Sequence, residues 1–224
     1  MTGQYRSCCG GDHCDAESDV ATLGGRIRKV AFQHLLQTRQ PVFVSMIADE
    51  LGEPRDRVEA VISALDCQGR IRRTRNGAVV GSAGLSVEPS RHELYFGGRR
   101  FWTWCAYDAL GILAALRADG RVLSKSPLTG VAIEIRFQHG SPEPKDAVLF
   151  LPDFFASRPE STPSLAPDVS VFDDLCPQAN LFESRAAASA WTERHRVAGQ
   201  ILWLTEAVAL GGKEWQPVVP TSSA

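Results

Sequence analysis

The change of hydrophobic spacing at Gly69 constrains the fold of this chain more than any other feature of the sequence. Before it, apolar residues recur every three or four positions in three successive segments, which predicts three amphipathic helices. After it, two short strand-like runs flank Asn76 and Gly77, a pair that favours a tight hairpin turn. Three helices followed by a hairpin predict a winged-helix-like module over residues 25–84.

The remainder of the chain, residues 85–224, mixes both kinds of spacing. Alternation around Leu94 and Phe101 predicts two short strands, and a helix is predicted from about Trp104 to Arg117. We also predict strands at 131–137, 147–151 and 199–204, helices at 184–196 and 206–210, and a long surface loop at 152–170. The predicted fold class is α+β, with the N-terminal winged-helix-like module packed on a domain of short antiparallel strands and helices.

Residues 1–24 lack a periodic pattern and are rich in Gly, Asp and Ser, which predicts a flexible tail. The tail contains three of the six cysteines, namely Cys8, Cys9 and Cys14. Three thiols beside His13 could chelate a soft metal ion, although their spacing matches no closed zinc motif. We therefore treat them as candidate auxiliary thiols, and a tail without any metal-binding role is the alternative.

The balance of charge argues against several classes of partner. The chain has 24 Lys and Arg against 26 Asp and Glu, which gives no global attraction to nucleic acid or to an anionic membrane. No apolar run approaches the roughly 20 residues that span a bilayer, and the N-terminus lacks the apolar stretch of a secretory signal. We expect a cytoplasmic protein with reduced thiols and with no nucleic-acid or membrane partner.

The strongest candidate for chemistry is the pair formed by Cys105 and Asp108. On a helix, residues three positions apart lie on one face, close enough here to exchange a proton. In the first helical turn, the spare N–H groups and the helix dipole favour a thiolate at Cys105. A thiolate beside a carboxylate is a reactive pair, but the same spacing also occurs where a cysteine is only a small core residue.

The stretch from Arg99 to Leu110, which contains this pair, resembles the core motif of the organomercurial (alkylmercury) lyase family. The similarity continues through Ser124–Gly130 and around Cys176, and it extends over about residues 26–215. The winged-helix outline also fits the N-terminal part of these lyases. The chain departs from the family in a longer loop before Cys176, and in having proline where some members carry a second adjacent cysteine.

The resemblance implies a carbon–mercury lyase that works by protonolysis. Mercury(II) is soft, and thiolates are the protein ligands that it prefers. In the implied mechanism, Cys105 and Cys176 hold the mercury while Asp108 takes a thiol proton and delivers it to the leaving carbon. The implied products are a hydrocarbon and Hg(II). Mercury is the substrate, no cofactor is expected, and free cellular thiols would remove the metal.

The resemblance also suggests partners and a substrate pocket. The expected partners are organomercurial small molecules and a mercuric reductase that receives Hg(II). Trp102, Trp104 and Tyr107 are candidates to shape an apolar pocket, and the alternative is that they are plain core aromatics.

Two other functions stay open at this stage. The same two thiols and acid would suit an organotin or organoarsenic compound, or binding without turnover. A metal-responsive winged-helix transcription repressor is the third hypothesis, because a set of arginines could offer a basic face to phosphates. These arginines are Arg55, Arg57, Arg70, Arg72, Arg73 and Arg75, and acidic residues are interleaved among them.

Overall fold

A computed structural model describes residues 16–143, 146–153 and 170–220, with side chains from Leu23 onward. The candidate auxiliary thiols Cys8, Cys9 and Cys14 lie outside the described residues, as does most of the predicted surface loop. Within the described part, no helix has both the length and the apolar character that crossing a membrane requires.

Three helices and a hairpin form the N-terminal part, as the hydrophobic spacing predicted. The helices are α1 (Ala16–Thr38), α2 (Val44–Leu51) and α3 (Arg55–Cys67). Strand β1 (Ile71–Arg73) pairs antiparallel with β2 (Val79–Ser82). These elements confirm the predicted order, while the winged-helix assignment itself stays a prediction.

Helix α1 begins earlier than predicted. Residues 16–24, which we placed in the flexible tail, are helical from Ala16 onward. Leu23 is buried in the core, so the apolar face of the helix extends into this stretch. The prediction failed because Gly24 and Gly25 suggest a turn, whereas glycine inside a helix costs only about 1 kcal/mol relative to alanine.

A single antiparallel sheet of eight strands joins the N-terminal part to the rest of the chain. The further strands are β3 (Leu85–Ser86), β4 (His92–Phe96), β5 (Arg99–Thr103), β6 (Gly120–Lys125), β7 (Ala132–Gln138) and β8 (Ser141–Pro142). Their order is β1-β2-β3-β5-β4-β6-β7-β8. The domain boundary predicted at residues 84/85 falls in the turn between β2 and β3, so the sheet and one continuous apolar core extend across it.

Helix α4 (Ala106–Leu116) lies at the centre of the molecule. Nine of its eleven residues are buried, as expected for a helix that is apolar on all sides. The C-terminal helix (Leu204–Trp215) crosses α4 at a pair of glycines. A Cβ atom on Gly211 would lie 2.8 Å from the Cα atom of Gly111, so only glycine allows the two backbones to approach this closely.

A second sheet of three strands carries the region around Cys176. Strand β9 (Val148–Pro152) lies between β10 (Asn180–Phe182) and β11 (Gly199–Trp203), and both pairings are antiparallel. Between β10 and β11, helix α5 (Arg185–His195) packs its Trp191 ring against the aromatic rings of this sheet. The Ser184 hydroxyl caps that helix by accepting a hydrogen bond from the backbone of its first turn.

Candidate active site

Cys105, Asp108 and Cys176 form one buried cluster. One potential ligand atom from each residue lies within 4.8 Å of the others. Their exposed fractions are 0%, 5% and 2%, so the cluster is closed to solvent. Among the residues that the structure describes, no other group of three His, Cys, Asp or Glu side chains has a geometry suited to a metal ion.

The start of α4 fixes Cys105 and Asp108 relative to each other. Cys105 has an extended backbone and is the N-cap of the helix. Its backbone N–H donates to Oδ2 of Asp108 at 2.8 Å, and the backbone N–H of Asp108 donates to Sγ of Cys105 at 3.5 Å. This reciprocal arrangement is a capping box, and it leaves the other carboxylate oxygen of Asp108 outside these two bonds.

Gly84, in the turn between β2 and β3, closes one side of the Asp108 carboxyl group. Its φ of +83° is in the left-handed region, and a Cβ atom there would lie 2.4 Å from Cγ of Asp108. The carbonyl oxygen of Gly84 accepts a hydrogen bond from the backbone of Trp104 at 3.0 Å. Any side chain at position 84 would therefore displace the acid, and glycine is required both by its backbone angle and by space.

Cys176 reaches the cluster through contacts between distant parts of the chain. It begins a short 3₁₀ turn, and the first N–H of α4, at Ala106, donates to the carbonyl oxygen of Ala179 at 3.1 Å. The buried Asn180 side chain donates to the carbonyl oxygen of Pro177 at 2.8 Å. The turn that carries Cys176 is thus attached directly to the helix that carries Cys105.

Burial changes the acid–base properties of the pair. Burial, hydrogen bonding to Cys176 and the nearby charge of Asp108 raise the pKa of Cys105 well above its ordinary value. The thiolate predicted from the helix dipole is therefore wrong for the resting protein, because desolvation outweighs the favourable helix end. Burial also raises the pKa of Asp108 to about 7, although hydrogen bonds with Cys105 oppose the shift. A carboxyl group with this pKa can both accept and donate a proton near neutral pH.

The two candidate pocket tryptophans, Trp104 and Trp102, have different surroundings in the structure. Trp104 is adjacent to Cys105, is nearly buried, and contacts the edge of the Phe172 ring with 5.7 Å between ring centroids. Trp102 alternates along β5 with Thr103, whose hydroxyl donates to the carbonyl oxygen of Cys105 at 2.8 Å. Neighbouring strand residues face opposite sides of a sheet, and the guanidinium of Arg100 lies 4.8 Å from the centre of the Trp102 ring.

Tyr107 faces the C-terminal helix, Leu204–Trp215. Its hydroxyl group lies 3.0 Å from Oε2 of Glu214 and donates to it, and its ring packs edge-to-face on Trp215. Burial, together with the charge of Glu214, raises the pKa of Tyr107. Its contacts are those of a core aromatic that joins two helices, the alternative left open by the sequence.

Two residues near the cluster were not predicted. Gly84 follows Ala83 in a short apolar run, where a turn glycine could have been recognised but not its contact with Asp108. Phe172 lies four residues before Cys176, next to the long loop, and no spacing pattern distinguishes it.

Comparisons with known proteins place this chain in a family. The family model for MerB, alkylmercury lyase, matches residues 85–216. An alkylmercury lyase of Streptomyces lividans is 29% identical over 182 residues, covering 79% of this chain and 76% of that protein. One from Staphylococcus epidermidis is 27% identical over 198 residues, covering 85% and 83%.

A solved structure shows the same fold. The crystal structure of the mercury-bound form of MerB2 superimposes with a TM-score of 0.75 and 24% sequence identity, covering 90% of this chain and 95% of that chain. The mixed arrangement of helices and antiparallel sheet described above is thus shared with that protein.

Proposed function

The chain belongs to the alkylmercury lyase family, and we propose that it breaks carbon–mercury bonds by protonolysis with Cys105, Cys176 and Asp108. One observation carries the proposal: two thiols and one carboxyl group, each nearly or fully buried, have ligand atoms within 4.8 Å of one another. Two sulfur atoms at this separation can bind one soft metal centre, and the acid is close enough to reach its organic substituent.

Capture of the substrate comes first. An organomercury cation, R–Hg⁺, binds Sγ of Cys105, and the thiol proton moves to the Asp108 carboxylate beside it. The raised pKa of Cys105 does not prevent this step, because mercury replaces the proton directly and binds thiolate very strongly. The pKa of Asp108, about 7, makes it a suitable acceptor near neutral pH.

Cleavage follows when Cys176 binds the same mercury atom and gives up its own proton to X⁻, the counter-ion of R–Hg⁺. The second sulfur raises the electron density on mercury and weakens the carbon–mercury bond. The electron pair of that bond remains with carbon, which takes the proton held by Asp108. The overall reaction converts R–Hg–X and two thiols into R–H, one S–Hg–S unit and H–X, so atoms and charge balance.

Release of Hg(II) then requires thiols from solution. Two external thiols exchange with Cys105 and Cys176 and restore their protons, and the Hg(II) dithiolate leaves for a downstream acceptor such as a mercuric reductase. Burial of the cluster favours the reaction, since exclusion of water strengthens the contact between the acid and the leaving carbon.

The other hypotheses receive less support. An organotin or organoarsenic substrate would use the same three side chains, so only the choice of substrate separates that hypothesis from the proposal. For the repressor, contacts within the protein occupy part of the expected basic face. Arg73 forms an ion pair with Glu59 at 2.6 Å, and the guanidinium of Arg72 lies over the ring of Phe172.

The decisive experiment measures benzene released from phenylmercury in the presence of excess thiol. We expect turnover by the unaltered protein and by Cys67→Ser, which changes an exposed thiol. Cys105→Ser and Cys176→Ser should release none. If the unaltered protein releases neither benzene from phenylmercury nor methane from methylmercury, the proposal is overturned. Release of hydrocarbon only from an organotin would establish the alternative.

A further inference from the structure

Phe172 lies beside the buried cluster and contacts side chains from two other parts of the chain. Its ring meets the indole of Trp104 edge-to-face, with 88° between the ring planes. The guanidinium carbon of Arg72 lies 4.0 Å from the centre of the same ring. Phe172 is only partly buried, whereas Trp104 beneath it is 8% exposed. The phenyl ring therefore covers part of the Trp104 indole, the side chain that directly precedes Cys105 in the chain.

The N-terminal hairpin brings together Arg72 and Trp104, the two side chains that contact the Phe172 ring. Arg72 in β1 is paired with Gly81 in β2. A Cβ atom on Gly81 would lie 2.9 Å from Nε1 of Trp104 and 3.3 Å from Cβ of Arg72. The absence of a side chain at Gly81 brings Arg72 and Trp104 close together, and Phe172 contacts both.

The segment that carries Phe172 is a single π-helical turn, Val171–Leu175, immediately before Cys176. It is attached to α3 by one backbone hydrogen bond, in which Val171 donates to the carbonyl oxygen of Gln68 at 3.0 Å. Isolated π-helical turns occur frequently at functional sites. A short turn with such an attachment can shift without disturbing the sheets on either side.

The closed cluster requires such a shift. With exposed fractions of 5% or less at all three reactive residues, an organomercury compound cannot reach Sγ of Cys105 unless a covering side chain moves. Phe172 contacts the residue next to Cys105 and precedes Cys176 by four positions, so it is the candidate for this movement.

We propose that Phe172 determines which organic group the enzyme accepts, and that Arg72 controls how readily the Phe172 ring moves aside. This inference rests on the proposed carbon–mercury lyase function. A methyl group requires a small displacement of the ring, whereas a phenyl group requires the ring to leave its contact with Arg72 and Trp104. The closed position of Phe172 therefore favours small alkyl groups over aryl groups.

The test compares kcat/KM for methylmercury and phenylmercury in a set of variants. Phe172→Ala should raise the phenyl-to-methyl ratio about tenfold or more, the range in which apolar pockets discriminate by size. Phe172→Leu keeps an apolar side chain and should shift the ratio less in the same direction. Arg72→Met removes the cation from the ring and should raise the ratio about two- to fivefold, in line with the strength of such contacts.

Arg121→Met is the matched control. Arg121 lies over the ring of Tyr95, 4.6 Å from its centre, where strands β4 and β6 pair. Its replacement removes the same kind of contact and should leave the ratio unchanged. A ratio that stays constant in both Phe172 variants, or that changes as much in Arg121→Met as in Arg72→Met, would overturn the inference.

A second readout separates this inference from the proposed function. Formation of a protein–mercury–R adduct, followed by mass spectrometry of intact protein after rapid quenching, requires only the sulfur–mercury bond. If the unaltered protein captures phenylmercury but releases no benzene, the proposed function fails, while the rates of adduct formation still test Phe172. If benzene is released and the adduct rates of the Phe172 variants keep the original ratio, only the inference fails.

Discussion

The two halves of the cluster are held in different ways. Cys105 and Asp108 are three positions apart, and two hydrogen bonds within a single helical turn fix their geometry. Cys176 lies 71 residues further along the chain (176 − 105), in a turn attached through Ala179 and Asn180 to other elements. The first half is a product of local structure, whereas the second depends on how the sheets and helices assemble. Changes to the two halves should therefore affect stability and catalysis differently.

Replacing either cysteine by serine should have the largest effect. Both variants should lose turnover by about a thousandfold or more, as when one member of a cooperating catalytic set is removed. Their stabilities should differ. Serine at position 105 is a better N-cap than cysteine, so Cys105→Ser should unfold at the same temperature or higher.

Cys176→Ser places a hydroxyl group in a buried turn and should lose about 1 kcal/mol. Thermal unfolding and benzene release measure the two properties. Equal loss of stability in both serine variants would contradict the contrast between a local and an assembled half.

Asp108→Asn should reduce turnover by about a hundred- to ten-thousandfold, because the amide cannot deliver a proton to carbon. The same change should stabilise the protein above neutral pH. The folded carboxyl group, with its pKa raised to about 7, keeps its proton where the unfolded group, with its ordinary value of 3.8, releases it. Asp108 therefore lowers the free energy of unfolding as pH rises from about 4 to about 7.

Urea unfolding at pH 4.5 and pH 8 measures this effect. Relative to the unaltered protein, Asp108→Asn should gain stability between the two values by an amount on the order of 1–3 kcal/mol. The first half of the cluster would then contain a stabilising helix cap at Cys105 and, at Asp108, a carboxyl group whose ionisation destabilises the fold. A stability difference independent of pH would show that the carboxyl group titrates normally.

Asn180→Ala should affect the second half alone. Loss of the bond to Pro177 and of the weaker contact with Arg91 should cost about 1–3 kcal/mol and slow hydrocarbon release about ten- to a hundredfold through misplacement of Cys176.

Gln178→Ala is the matched control, since it removes a similar bond to the Asp174 carbonyl on the exposed side of the turn. Adduct formation at Cys105 should stay fast in both variants, and slow capture in Asn180→Ala would link the two halves.

Ser184→Ala should have the smallest effect. It removes the cap of α5, where Oγ of Ser184 accepts from the backbone of Ala187 at 3.2 Å, and should cost about 1 kcal/mol. Turnover should be unchanged, because this cap contacts no reactive residue. If kcat fell in Ser184→Ala, loss of a helix cap that contacts no reactive residue would be enough to impair the reaction. The effect of Cys105→Ser on turnover could then not be assigned to the cluster.

The sequence predicted those helices and strands that are specified by residues close together in the chain. The three N-terminal helices, the hairpin at Asn76, the helix after Cys105 and the strand at 148–152 all appear, with ends shifted by a few residues or, for α1, by about ten. Strand β6 was missed because Gly120 indicates only the end of a helix. The C-terminal helix continues to Trp215, well beyond the predicted residue 210, because Gly211 and Gly212 suggest a stop that close packing on α4 overrides.

Contacts between distant residues could not be predicted from spacing. The helical relation of Cys105 and Asp108 was available from the sequence, but the position of Cys176 came only from family resemblance. The pKa of Cys105 was predicted in the wrong direction because burial is a property of the assembled fold. Gly84 and Phe172 reach the cluster through turns whose course depends on packing rather than on local preference.

The turn between β2 and β3 makes the chain hard to divide where its sequence suggests a cut. The match to the family model begins at residue 85, immediately after Gly84. A gene fragment starting there would keep Cys105 and Cys176 but lose the backbone packed against Asp108 and the strand paired with β3. Its product would expose an open strand edge, a common origin of aggregation. Chimeras between relatives should therefore exchange the turn between β2 and β3 together with α4.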